Sequence, residues 1–380
     1  MVKKKICFVV AIPGTAEAFL RDHIKALRED YDVFLVGNIN SEKEIEMLDL
    51  AGWRKIDILR PVSLSSDLKA IRQLSAYFKQ MKFDVVHSVT PKAGLVCALA
   101  GFLAKVPIRI HIFTGQVWAT RTGFMRWMLK SVDKLIAKLD THILVDGGSQ
   151  KNYLVENGVF KADKGQVLGE GSICGVNLDR FNPLAETRIA VRKDLGISND
   201  KIVFVLMGRL NHDKGLYELL PAFDRLAAEN KGVFLLMFGS DEENVAATFG
   251  NYKHLKRDNF LYYGVTHAPQ RMLQAADVFV LPTYREGFGS SVIEAACLGL
   301  STITSDAYGV LDASVPGVTG LQCKVGDVES LYNCMKELAD DADKRKIMGA
   351  AGRRRVQEKF AGAVVVRHWK EYYDNLLSHV

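Results

Sequence analysis

No stretch of this chain is apolar over enough length to cross a bilayer. The longest candidate, residues 93–104, is closed by Lys92 and Lys105 and falls far short of the about 20 residues a span needs. The six cysteines, Cys7, Cys97, Cys174, Cys297, Cys323 and Cys334, form no Cys-x-x-Cys pair. Most sit in apolar patterns, so they read as buried thiols of a reducing compartment rather than disulfides or zinc ligands. The lysine-rich start, Met1-Val2-Lys3-Lys4-Lys5, lacks a small-residue cleavage site and leads into a strand pattern, so no signal peptide is expected. A dinucleotide-dependent dehydrogenase wants Gly-x-Gly-x-x-Gly after its first strand, and Ala11-Ile12-Pro13-Gly14-Thr15-Ala16-Glu17 does not supply it. Short-period repeats and low-complexity tracts are absent as well. Acids are scarce over residues 51–140: Asp57, Asp67, Asp84, Asp133 and Asp140 face fifteen lysines and arginines. That local excess of ten exceeds the +6 of the whole chain, so the remainder is net acidic. Such a field suits a phosphate-rich partner: an anionic lipid, a pyrophosphate-linked carrier or a nucleic acid.

What is present is a chain of 380 residues, 48% hydrophobic, ample for two domains with separate cores. Strand and helix patterns alternate twice. In the first half, strands are expected at 5–11, 32–37, 83–87, 108–113 and 142–145, with an extended segment at 53–59. Helices are expected at 16–29, 41–51, 64–81, 92–104, 124–139 and 149–157. Residues 169–199 read as irregular. Alternation then resumes, with strands at 202–207, 233–238, 260–263, 278–281 and 301–304, and helices between and after them. Strands separated by single helices imply βαβ units and parallel sheets covered on both faces.

Two strand-to-helix turns carry chemistry. The first is Met207-Gly208-Arg209-Leu210-Asn211-His212-Asp213-Lys214-Gly215. It places two cations at the carboxyl end of a strand, where doubly wound sheets bind ligands. Fixed cations there stabilise charge growing on a departing diphosphate. The second runs from Tyr284 to Gly299 and contains Glu286-Gly287-Phe288-Gly289-Ser290-Ser291, with Glu294 one turn inside the helix. Its glycines let a ligand approach the main chain, and the helix start offers free N–H groups. Two carboxylates beside an anion site are better used on neutral hydroxyls of a ribose or a sugar.

Glu286 and Glu294 within Arg-Glu-Gly-Phe-Gly-x-x-x-x-Glu-Ala resemble the donor-site signature of the family 4 retaining glycosyltransferases. Gly208-Arg209 through Lys214-Gly215 resembles that family's diphosphate loop. The segments after Gly239, at Tyr263-Gly264-Val265-Thr266, at 305–309 and at 316–320 resemble further parts of the same pattern. The resemblance implies the GT-B fold, an α/β architecture of two Rossmann-like domains facing each other across a cleft. It implies an acceptor domain over residues 1–185, a donor domain over 186–361, and a last helix, 362–380, that crosses back to the first domain. It also implies roles. Arg209 and Lys214 would hold the diphosphate, and Glu286 the sugar hydroxyls, with the amides of Gly287, Phe288, Gly289, Ser290 and Ser291 assisting. Glu294 would take the ribose, and Gly14, Gly208, Gly239 and Val265 would line the nucleotide. The expected reaction is a same-face substitution from a nucleotide-sugar, UDP-linked by expectation, needing neither metal nor other cofactor. A nucleotide-sugar epimerase of the same fold, or a non-catalytic membrane or nucleic-acid adaptor, is the alternative.

Acceptor-side residues are less clearly marked. The variant Phe113-Thr114-Gly115-Gln116-Val117-Trp118-Ala119-Thr120-Arg121 resembles members that build bacterial capsule or O-antigen units on a polyprenyl diphosphate. It makes Thr114, Gln116 and Arg121 candidates for a lipid-linked sugar acceptor. His111 and His87 have two readings each, as acceptor contacts or as core. The helix at 124–139 interleaves Phe124, Trp127, Met128, Leu135 and Ile136 with Arg126, Lys130, Lys134 and Lys138. It reads either as a face for an anionic membrane or as an ordinary helix packed on the sheet. With the local basic excess, the expected location is the inner face of the cytoplasmic membrane, peripherally bound, with no nucleic acid as partner. Asp30-Tyr31-Asp32 lies far from the donor motifs and reads as a turn rather than a metal site.

Overall fold

Lys5–Val9 reads Lys-Ile-Cys-Phe-Val and is buried along all but its first residue. Val233–Phe238, Val-Phe-Leu-Leu-Met-Phe, is buried throughout. Strands apolar on both faces belong inside parallel sheets with helices on either side, and the chain builds two such sheets. The computed structural model describes residues 3–59 and 63–378. Arg60 of the basic stretch, and residues 379–380 of the expected last helix, fall outside them.

The chain divides into two units, Met1–Gly175 with Gly362–Val380, and Val176–Ala361. The first carries seven strands: β1 (Lys5–Val9), β2 (Asp32–Gly37), β3 (Gly52–Lys55), β4 (Val85–Val89), β5 (Ile108–Phe113), β6 (His142–Val145) and β7 (Gly165–Gln166). All pair in parallel, in the order β3-β2-β1-β4-β5-β6-β7. The second unit carries β8 (Ile202–Met207), β9 (Val233–Phe238), β10 (Phe260–Tyr262), β11 (Val278–Leu281), β12 (Ser301–Ser305) and β13 (Gly320–Cys323), again all parallel, in the order β10-β9-β8-β11-β12-β13. The chain leaves β8 toward β9 and β10, then returns to β8's other side as β11. The carboxyl ends of β8 and β11 are therefore a topological switch point, the place where an open α/β sheet binds ligands. Both chemistry-bearing turns of the sequence leave from it. In the first unit the corresponding point lies between β1 and β4.

The last helix, Gly362–Leu377, belongs to the first unit, where Val365, Trp369, Tyr373 and Leu377 join a core with Phe8, Ile24, Val85 and Ile110. The Tyr31 hydroxyl donates to Asp374 at 2.6 Å, and Lys370 pairs with Asp30. Asp30 and Tyr31 are thus a docking edge for this helix, while Asp32 lies 3.2 Å from Arg28.

Several expectations need correction. The unit boundary falls at Gly175/Val176, not at 185/186. The Val176 N–H donates to the Phe360 carbonyl at 2.7 Å, and Val176 and Phe181 pack into the second unit's core. The expected helix at 16–29 is two helices, Pro13–Phe19 and Arg21–Leu27, meeting at Leu20. The one at 41–51 reduces to a 3-10 turn, Glu42–Ile45. The extended segment at 53–59 pairs only over Gly52–Lys55. Residues 169–199 hold a ten-residue helix, Ala185–Asp194. Its buried face includes Arg192, 1% exposed, which reaches Asp277 at 2.8 Å and the carbonyls of Ala275, Ser198, Asn199 and Lys201. A helix anchored by arginine leaves no apolar stripe to read.

Candidate functional site

The two turns at the second sheet's switch point are locked together by main chain and by charge. Tyr284 N–H and the Thr283 hydroxyl both donate to the Asp213 carbonyl, at 2.8 and 2.7 Å. Asp213 and Lys214 on the β8 turn meet Arg285 and Glu286 on the β11 turn in two adjacent ion pairs. Arg285 lies 2.6 Å from Asp213, and Lys214 pairs with Glu286. Both members of the Lys214–Glu286 pair are 15% exposed, so they are largely withdrawn from screening by water. The β9 turn joins them. Gly239 has φ +142, and a Cβ there would lie 1.8 Å from the Gly208 carbonyl oxygen. The β8 and β9 turns can run side by side only because that position has no side chain.

Of the donor-side candidates, Arg209 is exposed and lies 2.9 Å from Glu242, whose carboxylate also accepts from the Asn211 amide at 3.0 Å. Glu294 lies in the helix Ser290–Cys297, which starts at Gly289 with φ +87. Burial pushes the Glu294 carboxyl up to about 7, and the nearby Arg180 guanidinium pulls the other way. Ser290 and Ser291 are half-buried at that helix start. Gly287 and Gly289 are buried beside them. Val265 is 64% exposed on the loop after β10, open to a ligand. Gly14 sits in the first turn of Pro13–Phe19, with nothing within 4 Å of where a Cβ would be. The Phe288 ring is 2% exposed and packs edge-on against Phe360 at 5.2 Å, which leaves its main-chain amide as the part expected to meet a ligand.

On the acceptor side the structure separates the candidates. Both histidines are core. His87 is fully buried, with Nδ1 2.6 Å from the Tyr373 hydroxyl and its ring stacked on Trp369; burial holds its pKa well below the usual value. His111 Nδ1 lies 2.8 Å from Ser88 Oγ, and burial pushes its pKa down to about 3. The alternation of side chains along β4 and β5 turns both rings into the sheet's packing layers. Gln116 is also buried, its carbonyl oxygen accepting from Gln150 at 3.3 Å. Thr114 is half-buried and Arg121 exposed, which leaves these two accessible.

The helix Gly123–Leu139 divides its charges. Arg126 donates to the carbonyls of Trp118 and Ala119, at 3.1 and 3.0 Å, and lies over the Trp118 ring, as does Lys130. These two cations are structural. Lys134 and Lys138 are exposed, and Phe124, Met125 and Trp127 are 73%, 48% and 64% exposed. Ile136 faces the core. No helix among the described residues is long and apolar enough to cross a membrane, and none of their His, Cys, Asp and Glu side chains form a group able to hold a metal ion.

Sequence reasoning missed Arg285, Asp213 and Glu242. The first two were legible as opposite charges next to Glu286 and Lys214. Glu242 was not, because its approach to Arg209 depends on β9 lying beside β8.

Comparison with known proteins agrees across the chain. The family model described as "Glycosyl transferases group 1" matches residues 187–355, and that of the "Glycosyl transferase 4-like domain" matches 14–170. The capsular polysaccharide biosynthesis glycosyltransferase CapM of Staphylococcus aureus is 30% identical over the whole of this chain and 99% of its own length. An Escherichia coli UDP-Gal:alpha-D-GlcNAc-diphosphoundecaprenol alpha-1,3-galactosyltransferase is 26% identical over 75% of this chain and 73% of its own. Among solved structures, Anabaena HepE in complex with UDP and glucose superposes with a TM-score of 0.80 over 98% of this chain and all of that one, at 17% identity, a likeness of fold. Alignment to CapM from end to end, with transferase families matching in both units, shows that the chain belongs to the family 4 glycosyltransferases of GT-B fold.

Proposed function

We propose that this transferase moves a hexose from a UDP-sugar, with retention of configuration and without a metal, to a glycan carried on a polyprenyl diphosphate. The observation that carries the reading is that the turn bearing Arg209 and Lys214 and the turn bearing Glu286, which leads into the helix of Glu294, leave one switch point and are joined by the Lys214–Glu286 pair. Lys214 and Arg209 are placed to hold the diphosphate and to balance charge growing on its departing oxygen. Glu286, released from Lys214 as the phosphate takes its place, is then free to accept the sugar's hydroxyl protons. The ionised form of Glu294 accepts from the ribose. The helix start at Ser290 adds main-chain N–H groups. UDP is favoured because the E. coli relative is named for a UDP-sugar and HepE is described with UDP. The lipid diphosphate acceptor is favoured because that relative is named for one.

Phe124 and Trp127 with Lys134 and Lys138 form a surface suited to lying on an anionic bilayer, apolar rings at the interface and lysines toward headgroups. A panel of nucleotide-sugars, incubated with polyprenyl-diphosphate-linked sugars and analysed for a lengthened product, tests the reaction. The account expects transfer from a UDP-sugar; turnover of the donor into an isomer without any acceptor would establish an epimerase instead. In parallel, the protein should sediment with anionic vesicles at low salt. Replacing Phe124 and Trp127 by Ser, with Lys134 and Lys138 by Gln, should release it while nucleotide affinity stays intact. Failure of the wild type to sediment would remove the membrane from the account.

A further inference from the structure

We propose that Glu242 is an internal counter-ion of the diphosphate seat, occupying Arg209 in the free protein and displaced each time the donor binds. This rests on the reading of the Arg209–Lys214 turn as that seat. Three acids follow β9 in succession, and each has a different employment. Asp241 accepts from the Val245 and Ala246 N–H groups at 2.9 Å and so caps its own loop. Glu243 accepts the His212 N–H at 2.8 Å and so braces the β8 turn. Only Glu242 meets a cation of the seat: Arg209 Nη1 lies 2.9 and 3.3 Å from its two oxygens, and Asn211 holds one of them. Its position is set by main chain rather than by a wandering side chain. Leu210 N–H donates to Ser240 at 2.7 Å, and the Glu242 N–H returns a bond to Leu210 at 3.1 Å.

The seat in the free protein therefore holds a carboxylate on each of its cations, Glu286 on Lys214 and Glu242 on Arg209. Glu286 has sugar hydroxyls to turn to. Glu242 keeps the neutral Asn211 amide but loses its cation once Arg209 swings to phosphate, and it then stands as a like charge beside the bound anion. Both side chains of the Arg209–Glu242 pair are well exposed, 55% and 41%, so it is weakly held. A multiply charged diphosphate displaces it, whereas a monoanion gains too little to do so. After transfer, Glu242 competes with the departing nucleoside diphosphate for Arg209 and speeds its exit. It is thus a specificity-determining residue that raises the threshold for anions and keeps the product from lingering. Were it merely orienting Arg209, removing its charge would weaken nucleotide binding; as a counter-ion, removing it strengthens binding.

Calorimetric titration of UDP, GDP, ADP and inorganic pyrophosphate into the wild type, Glu242→Gln and Glu242→Ala decides between these signs. Glu337→Gln, near the end of the helix Val328–Asp340 and paired with Lys344, controls for net charge. The expected result is binding of the preferred nucleoside diphosphate on the order of 5- to 10-fold tighter in both Glu242 variants at low salt, a gain that shrinks at high salt. Pyrophosphate should gain likewise, and Glu337→Gln should match the wild type. Unchanged or weaker nucleotide binding in both Glu242 variants overturns the proposal, as does an equal gain in Glu337→Gln. If the wild type binds no nucleoside diphosphate at all, the seat itself is wrongly placed and the proposal falls with it, a failure distinct from the first.

Discussion

Lys214 is the residue on which the proposed donor chemistry turns. It is anchored between a turn pinned to Tyr284 and a carboxylate it must give up. Lys214→Ala removes a preplaced cation from the leaving diphosphate and should cost on the order of 2–4 kcal/mol in transfer, read as a fall in kcat/KM with the fold intact by thermal melt. Activity should persist in EDTA; complete loss restored by manganese would sink the assignment of that charge to side chains. That Arg209, Lys214 and Glu286 lie on strand-to-helix turns of one switch point, with Glu294 in the helix that follows, was legible from the glycine-flanked motifs between apolar strands. What a linear pattern hides is who faces whom. Phe288 stands among the glycines and serines of the candidate donor turn, yet its ring points into the core against Phe360. His87 stands at a strand end yet is sealed under Trp369 and Tyr373, which arrive from the far end of the chain.

At the scale of elements, the first unit carries buried acids, inside the helix Gly123–Leu139 and at the ends of elements, that nothing in the periodicity marks. Asp146 follows β6 and is buried, and burial pushes its carboxyl up to about 8. Asp133 and Asp140 are pushed up to about 7, again by burial, with the Trp118 indole on the first and the Arg109 charge on the second pulling down. A folded-state pKa above the unfolded value means that the native state binds the extra proton. The stabilising contribution is complete below the unfolded carboxylate range and is lost as pH rises through 7 to 8. His23 works in the opposite sense. Burial pushes it down to about 4, so its contribution is lost only as pH falls toward that value. Asp146→Asn should therefore match the wild type's Tm below about pH 4 and exceed it by a margin that grows as pH rises and reaches several degrees by pH ~8. Parallel Tm–pH profiles for the two proteins would show that Asp146 is not held protonated. The same hidden polarity explains the unread helix Ala185–Asp194, held by Arg188 and Arg192 on Asp277. The loss of the expected helix at 41–51 has another cause: Ile45 and Leu48 reach the core from a single turn, Glu42–Ile45, so the apolar spacing did not require a longer helix.

Across the whole molecule, two parallel sheets were legible from the alternation of apolar runs and amphipathic segments, because a strand buried on both faces has a composition no exposed element shares. The order of strands within each sheet was not, since pairing partners are set by crossovers that leave no local trace. The unit boundary was misplaced by ten residues because Val176 and Phe181, though in irregular chain, belong to the second core. The account's central claim is that the β8–β11 switch point binds the nucleotide-sugar with a division of labour between its two glutamates. Titrating UDP calorimetrically into the wild type, Glu294→Ala and Glu286→Ala, with sugar transfer measured on the same preparations, tests it most directly. The account predicts that Glu294→Ala loses nucleotide affinity, while Glu286→Ala retains it and loses transfer. Equal loss of UDP affinity in the two variants, or a wild type that binds no UDP, would contradict it.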